Sequence, residues 1–142
     1  MFKRILVALE NSSMDNRLIP AVVQLAKLAH AELLLVHVAD GWAARNFEQL
    51  NLTESEEMKE DRAYLQRISE EVRGGGLVVS THLALGDPAS EILKAAVEKQ
   101  CDLIAMTTHG HRLIGDIMFG STIEKVRHRA LASLFIVSPE AT

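Results

Sequence analysis

Apolar runs and amphipathic stretches alternate along this chain. Ile5–Leu9 is short and unbroken in its apolar character, the pattern of a strand buried on both faces. Glu10-Asn11-Ser12-Ser13 follows, and Ser12 or Ser13 is suited to cap the helix after it. Leu18, Val22, Leu25 and Leu28/Ala29 then recur at helical spacing. Pro20 is compatible with that helix because it falls near its first turns. Glu32–Val38 (ELLLVHV) predicts a second buried strand, with His37 a satisfied core residue. Asp40–Leu52 shows no period and reads as a long loop. Thr53 and Glu56 form a capping box for a charged helix through Val72, which Gly74–Gly76 end. Its apolar positions are Met58, Tyr64, Leu65, Ile68 and Val72. Leu77–Leu85 predicts a third strand, near a sheet edge because Ser80 and His82 interrupt its apolar positions. Asp87 caps and Pro88 opens a helix with Ile92, Ala95, Ala96 and Val97 on its buried face. The last quarter holds a fourth strand (Asp102–Thr107), a glycine loop, a helix (Ser121–Leu131) and a fifth strand (Ser133–Val137).

Strands that alternate with helices predict an α/β fold: one domain over residues 1–142, its sheet parallel and doubly wound with right-handed crossovers. In such sheets ligands sit beyond the carboxyl ends of the strands, where the strand order reverses. The chain shows no internal repeat, low-complexity segment or linker.

Composition narrows the function. The net charge of −4 argues against binding a nucleic acid polymer or an anionic membrane. Thr107–Arg129 runs the other way: Arg112, Lys125, Arg127 and Arg129 stand against Asp116 and Glu124. A mildly basic segment in an acidic chain suits a small anionic ligand, although basic residues on a helix also simply face water. The single cysteine, Cys101, excludes an intramolecular disulfide and has no catalytic partner at a recognisable spacing. The start MFKRILVAL is too short in its apolar run for a signal peptide, and no run approaches a membrane span, so a cytoplasmic location is expected.

The candidate chemistry lies after the fourth strand. Nine residues separate Gly110 from Gly120, and Ser121 follows. Chance produces that spacing in about one in ten chains of this length, so its position carries the signal: it begins after a buried strand and ends at an expected helix start. Glycines there let backbone N–H groups approach an anion, and the helix dipole favours phosphate. Gly110 alone also fits a left-handed turn, and Ser121 with Glu124 also reads as a capping box. His109, Gly110 and His111 are weak evidence for a metal, since no carboxylate or cysteine partners them at ligand spacing. Phosphate contact by His111 or Arg112 is the stronger reading, with solvent exposure as its alternative. Glu10, at the end of the first strand, is either a ligand contact or a solvated loop carboxylate.

Several segments in order resemble the universal stress protein family: ILVALENS, LLLVHV, GDPASEIL, DLIAMTTHG, GSTIEKVRHRA and SLFIVSP. The resemblance spans nearly the whole chain. It implies a Rossmann-like five-stranded parallel sheet of order 3-2-1-4-5, with Glu10 and Gly110 on the two lips of one crevice. The nucleotide-binding branch carries Gly, two residues, Gly, nine residues, then Gly with Ser or Thr. Gly110, Gly120 and Ser121 match, whereas Thr107 stands where the first glycine would be. Glu10 stands where the family usually has the shorter Asp close to the adenosine, and Val38 matches the position whose backbone contacts adenine. The resemblance thus implies nucleotide contacts from Glu10, Val38, Thr107, Gly110, Gly120, Ser121 and Thr122, with Thr107 near the ribose.

Three functions follow as rivals. The first is a binding module for ATP or another adenine nucleotide with Mg²⁺ or another divalent cation, serving stress-response signalling. It has no catalytic residue and at most slow hydrolysis, since no general base is recognisable. The second, kept open by Thr107, is a member that binds no nucleotide and acts through protein partners. For both, the resemblance implies a homodimer through the C-terminal strand, an apolar edge that needs cover. The third is an enzyme that activates a substrate with ATP. It ranks last because the first turn, Glu10–Ser13, has neither glycine nor histidine.

Overall fold

The computed structural model describes residues 1–39, 56–108 and 114–138, with the backbone alone for 114–121. Five strands form one all-parallel sheet: β1 (Arg4–Ala8), β2 (Glu32–Ala39), β3 (Val79–Leu85), β4 (Leu103–Thr107) and β5 (Ser133–Val137). The order is β3-β2-β1-β4-β5, as the resemblance implied. Four helices connect them in the described residues: α1 (Asp15–Ala29), α2 (Glu56–Gly74), α3 (Pro88–Glu98) and α4 (Ile114–Arg129).

The chain runs outward from β1 through β2 to β3, then returns across the sheet to β4 and β5. Right-handed crossovers therefore place the first two helices on one face and the last two on the other. The strands supply both faces by alternation. Ile5, Val7, Leu33, Leu35, Leu103 and Ala105 pack with Leu18 and Val22 of α1 and Leu65 and Ile68 of α2. Leu6, Leu34, Val36, Ile104 and Met106 pack with Ala89, Ile92 and Ala95 of α3 and Val126 of α4. Cys101 belongs to this second layer, where burial pushes its thiol up to about 11. At the amino end of the strands, Asp102 ties β4 to β1 by accepting the backbone N–H groups of Lys3 and Arg4.

Several local expectations need correction. Neither Ser12 nor Ser13 caps α1: its N-cap is Met14, which makes no side-chain cap bond, while Ser12 Oγ accepts only the Met14 N–H at 3.3 Å. Leu28 and Val97 are exposed, because the buried stripe of α1 closes on Val22 and Ala26 and that of α3 on Ala95 and Ala96. The largest difference is at α4. It begins at Ile114, so Gly120 and Ser121 lie inside a helix and do not open one. Gly115 and Gly120 each cost only about 1 kcal/mol in a helix interior. Ile114, Ile117 and Met118 continue the helical period upstream of them. The expected cap at Asp87 is present: its carboxylate accepts the N–H and the hydroxyl of Ser90, which holds it below the usual carboxylate range. The expected loop at 40–52 and the Thr53 capping box lie outside the described residues.

Leu6 is fully buried in the second layer and Leu131 is almost fully exposed. Urea unfolding of Leu6→Ala is expected to show a loss of about 2–5 kcal/mol. Leu131→Ala should stay within about 0.5 kcal/mol of the parent.

Candidate functional site

The strand order reverses between β1 and β4, so a crevice opens beyond their carboxyl ends. Two expected site residues meet there. Thr107 ends β4, is fully buried, and its Oγ1 donates to Glu10 Oε2 at 2.8 Å. Glu10 is thus no solvated loop carboxylate: it is half-buried and bridges the two strands. Thr107, where the resemblance suggested a residue beside the ribose, spends its hydroxyl on Glu10.

Beside Glu10, a cavity of about 550 Å³ opens between the ends of β1 and β2 and the first turns of α2. Its described lining is Glu10, Asn11, His37, Val38, Ala39, Glu57, Glu60 and Asp61. Val38 therefore borders the same space as Glu10, as expected. The wall is acidic, with four carboxylates and no Lys or Arg among the described lining residues.

The turn after β1 is built around Asp15, whose side chain is fully buried. Its carboxylate accepts the backbone N–H groups of Glu10 at 3.0 Å and Asn11 at 2.9 Å, and the hydroxyl of Tyr64 at 2.6 Å. Asn11 holds a left-handed conformation, φ 60°, which Asn tolerates better than most residues. Its side-chain N–H then donates to Asp61 Oδ1 at 2.9 Å. Asp61 Oδ2 faces His37 Nε2 at 3.3 Å, an ion-pair distance without well-directed hydrogen-bond geometry. His37 Nδ1 donates to the Leu9 carbonyl at 2.8 Å, returning the chain of contacts to β1. His37 is therefore the satisfied residue its apolar surroundings suggested.

Asp15 has a functional consequence. Backbone N–H groups at the first strand–helix turn of a doubly wound sheet are a ready anion seat. Here the protein's own carboxylate fills it, so a phosphate has no place at this turn.

Sequence reasoning missed Asp15, Asp61 and Tyr64 as a unit. A first-turn Asp looks like ordinary dipole compensation. Asp61 did carry a signal: with Met58, Leu65, Ile68 and Val72 it shares the buried stripe of α2, where a charge needs partners.

The basic segment is dispersed. Arg127 pairs with Glu124 at 2.8 Å, and Arg129 borders a second cavity, about 440 Å³, at the amino end of the strands beside Cys101 and Ser133. Thr122 is buried on α4, and the side chain of Ser121 is not described. Gly110, His111 and Arg112 lie outside the described residues. Among the described residues no three His, Cys, Asp or Glu side chains are placed to hold a metal ion, and no helix is long and apolar enough to cross a membrane.

The crevice and its neighbouring cavity sit in a fold shared with known proteins. A model of the universal stress protein family matches residues 1–138. This chain belongs to the universal stress protein family. Universal stress protein YxiE of Bacillus subtilis is 30% identical to it over 147 aligned positions, covering 96% of this chain and 99% of the relative. A universal stress protein from the QAH/OAS sulfhydrylase 3′ region of Thermus aquaticus is 32% identical, covering 96% and 99%. The solved structure of MJ0577, named in Methanocaldococcus jannaschii as a universal stress protein, superposes with a TM-score of 0.83 at 25% identity, over 100% of this chain and 99% of that one. A universal stress protein from Archaeoglobus fulgidus, solved in complex with dAMP, shares the fold with a TM-score of 0.71 at 21% identity, over 95% and 97%. Another, solved in complex with cAMP, shares it with a TM-score of 0.72 at 17% identity, over 98% of each.

Burial, and then the bond to the Asp15 carboxylate, raise the Tyr64 hydroxyl well above its ordinary value of 10.0. A raised value means the protonated form is favoured in the fold. Its contribution to stability is complete below about pH 10 and is lost as pH climbs toward the folded value. Tyr64 is the only tyrosine, so tyrosinate absorbance reports it alone. The expected titration shows no tyrosinate until the fold itself gives way. Tyr64→Phe should cost about 1.5–3 kcal/mol by urea unfolding, the range for a hydrogen bond to a charged group.

Proposed function

We propose that this chain is a small binding module for ATP or another adenine nucleotide, serving stress-response signalling in the cytoplasm. One observation carries the reading: the Glu10–Thr107 bridge stands at the strand-order reversal, beside the Val38 cavity. The base would take the cavity beside the backbone of Val38. The phosphates would lie toward Gly110, Gly120, Ser121 and Thr122, with His111 and Arg112 as further contacts. Asp15 supports that polarity, because it occupies the other anion seat. Since Gly120 and Ser121 lie within α4, phosphate contact at their N–H groups requires the first turns of that helix to open. The Mg²⁺ or other divalent cation would be carried chiefly by the phosphates. The adenine nucleotides bound by two structural neighbours favour this ligand class.

Catalysis is not part of the proposal. Asp15 and Asp61 are held by protein donors, and Glu10 takes the Thr107 hydroxyl, so none is set up as a base for an attacking water. Any hydrolysis of ATP should be slow. The filled first turn also weighs against the ATP-activating enzyme, which would use that turn for phosphate.

A second reading, a dimer acting through protein partners, draws on β5. This edge strand is partly exposed along its length, with Ile136 38% exposed. An uncovered apolar edge favours pairing, here with β5 of a second copy. Gel filtration with light scattering at micromolar concentration should give twice the chain mass, and a monomer mass would remove the homodimer.

Thermal melting of nucleotide-stripped protein tests the nucleotide. ATP with Mg²⁺ at about a hundred times the dissociation constant should add about 2.7 kcal/mol, several degrees for a chain of this size. GTP should do much less. Gly120→Val should keep the fold and lose the shift. An unchanged shift in that variant removes the phosphate-loop assignment, and no shift in the parent up to millimolar ATP removes the nucleotide.

A further inference from the structure

The second cavity opens where α3 and α4 end and β4 and β5 begin, at the opposite end of the sheet from the crevice. Its inner wall is apolar. Ile104, Ala96 and Cys101 are buried there, and Leu93, Ala130 and Ala132 are half-buried beside them. Val97 and Leu131, 65% and 95% exposed, form an apolar rim. Three of these residues are alanines, and a larger side chain at any of them would close part of the hollow. Its volume of about 440 Å³ lies within the roughly 300–1,000 Å³ of small-molecule sites.

Charge is confined to the edge of this wall. Arg129 is exposed and forms no ion pair or side-chain hydrogen bond among the described residues, whereas Arg4 and Arg127 pair with Glu32 and Glu124. The dipole of α4 favours a cation at this position but does not account for an apolar hollow beside it. Asp102 is the one carboxylate among the described lining residues, and the backbone N–H groups of Lys3 and Arg4 engage it. Gln100 and Ser133 add neutral donors.

We propose that this cavity is a second ligand site, for a small amphipathic carboxylate. Its aliphatic body lies against Ile104, Ala96 and Cys101, and its head group pairs with Arg129. The apolar wall sets affinity: each methylene taken from water is worth about a fourfold gain until the cavity is filled. Charge sets the orientation. An ionised carboxylate does not enter an apolar wall without cost, so it stays at the rim. The guanidinium there presents paired donors that match a carboxylate in geometry as well as in sign. An alkyl ammonium would meet Arg129 as a like charge, and an alcohol would leave it unpaired. The nucleotide crevice stands at the other end of the sheet, so neither reading depends on the other.

Calorimetric titration with butanoate, hexanoate and octanoate tests the wall, and octanol and octylamine test the head group. Affinity should rise about fourfold per added methylene from butanoate to octanoate. Octanol and octylamine should bind more weakly than octanoate. Arg129→Gln should weaken octanoate about fivefold, the upper range for an exposed pair, and leave octanol unchanged. Ala132→Leu, at a half-buried position, should keep the melting temperature and lose octanoate. Should that variant unfold, the parent supplies a second reading. Cys101 is the only cysteine and lines this cavity, so its alkylation by iodoacetamide reports occupancy. Burial favours the thiol over the reactive thiolate, which makes the reaction slow enough to follow. Octanoate should slow it severalfold. A parent that binds no octanoate at millimolar concentration, or whose Cys101 reacts as fast with octanoate as without, overturns the site. So does an affinity that ignores chain length, or a folded Ala132→Leu that binds as the parent does. Octanol or octylamine binding as tightly as octanoate overturns the ligand class.

Discussion

Asp15 is fully buried, and a carboxylate out of water is costly unless donors surround it. Two backbone N–H groups and the Tyr64 hydroxyl do so, and in doing so they fix the path of the chain from β1 into α1. The left-handed Asn11 follows from that path, and so does the reach of its side chain to Asp61. Asp61 in turn faces His37 on β2. One buried charge thereby sets where Glu10 leaves the sheet, and Glu10 sets what the crevice presents to a ligand. Removing Tyr64 or Asn11 would leave a neighbour's charge unsatisfied, so the residues of this corner depend on each other more than on the core beneath them.

Most of the sheet was legible in the sequence, because its strands are buried on both faces and the parallel connections permit few topologies. Unbroken runs such as Ile5–Leu9 and Glu32–Val38 have no amphipathic alternative, and the Asp87-Pro88 helix start has one meaning. The failures lie where a residue type has two physical uses. Gly120 reads as a helix boundary because glycine relieves a turn, but glycine also sits inside a helix at modest cost, and α4 continues upstream of Gly120. Val97 and Leu28 are apolar yet exposed, since hydrophobic side chains need not all be inside. At the candidate site, Glu10 is marked by its place at a strand end and Val38 by the family resemblance, and both border one cavity. The Glu10–Thr107 bond is not legible, because a contact across 97 positions leaves no trace in local pattern.

Carboxylates gather at the carboxyl end of the sheet, on the side toward α2, around the Val38 cavity. The basic excess of residues 107–129 is a feature of the sequence. Several of those basic residues serve the helix itself: Arg127, His128 and Arg129 sit in the last turn of α4, where cations are favoured by the dipole. Positive charge in a segment of sequence is therefore a poor guide to positive charge in a crevice, here bordered by an acidic wall among the described residues.

Two helices end in the same way at the far end of the sheet. His30 after α1 and Gln100 after α3 both take left-handed conformations, with the next N–H returning to Ala26 and Ala96 respectively. Glycine is the usual occupant of that position, and another residue there carries backbone strain. Both strained caps lead into central strands, β2 and β4, from the end opposite the crevice. The molecule thus keeps unused stability in reserve at the end opposite the crevice. Mutations that cost stability near Glu10 or Asp15 could be compensated by a glycine at either cap, leaving room for the crevice to change while the sheet stays folded.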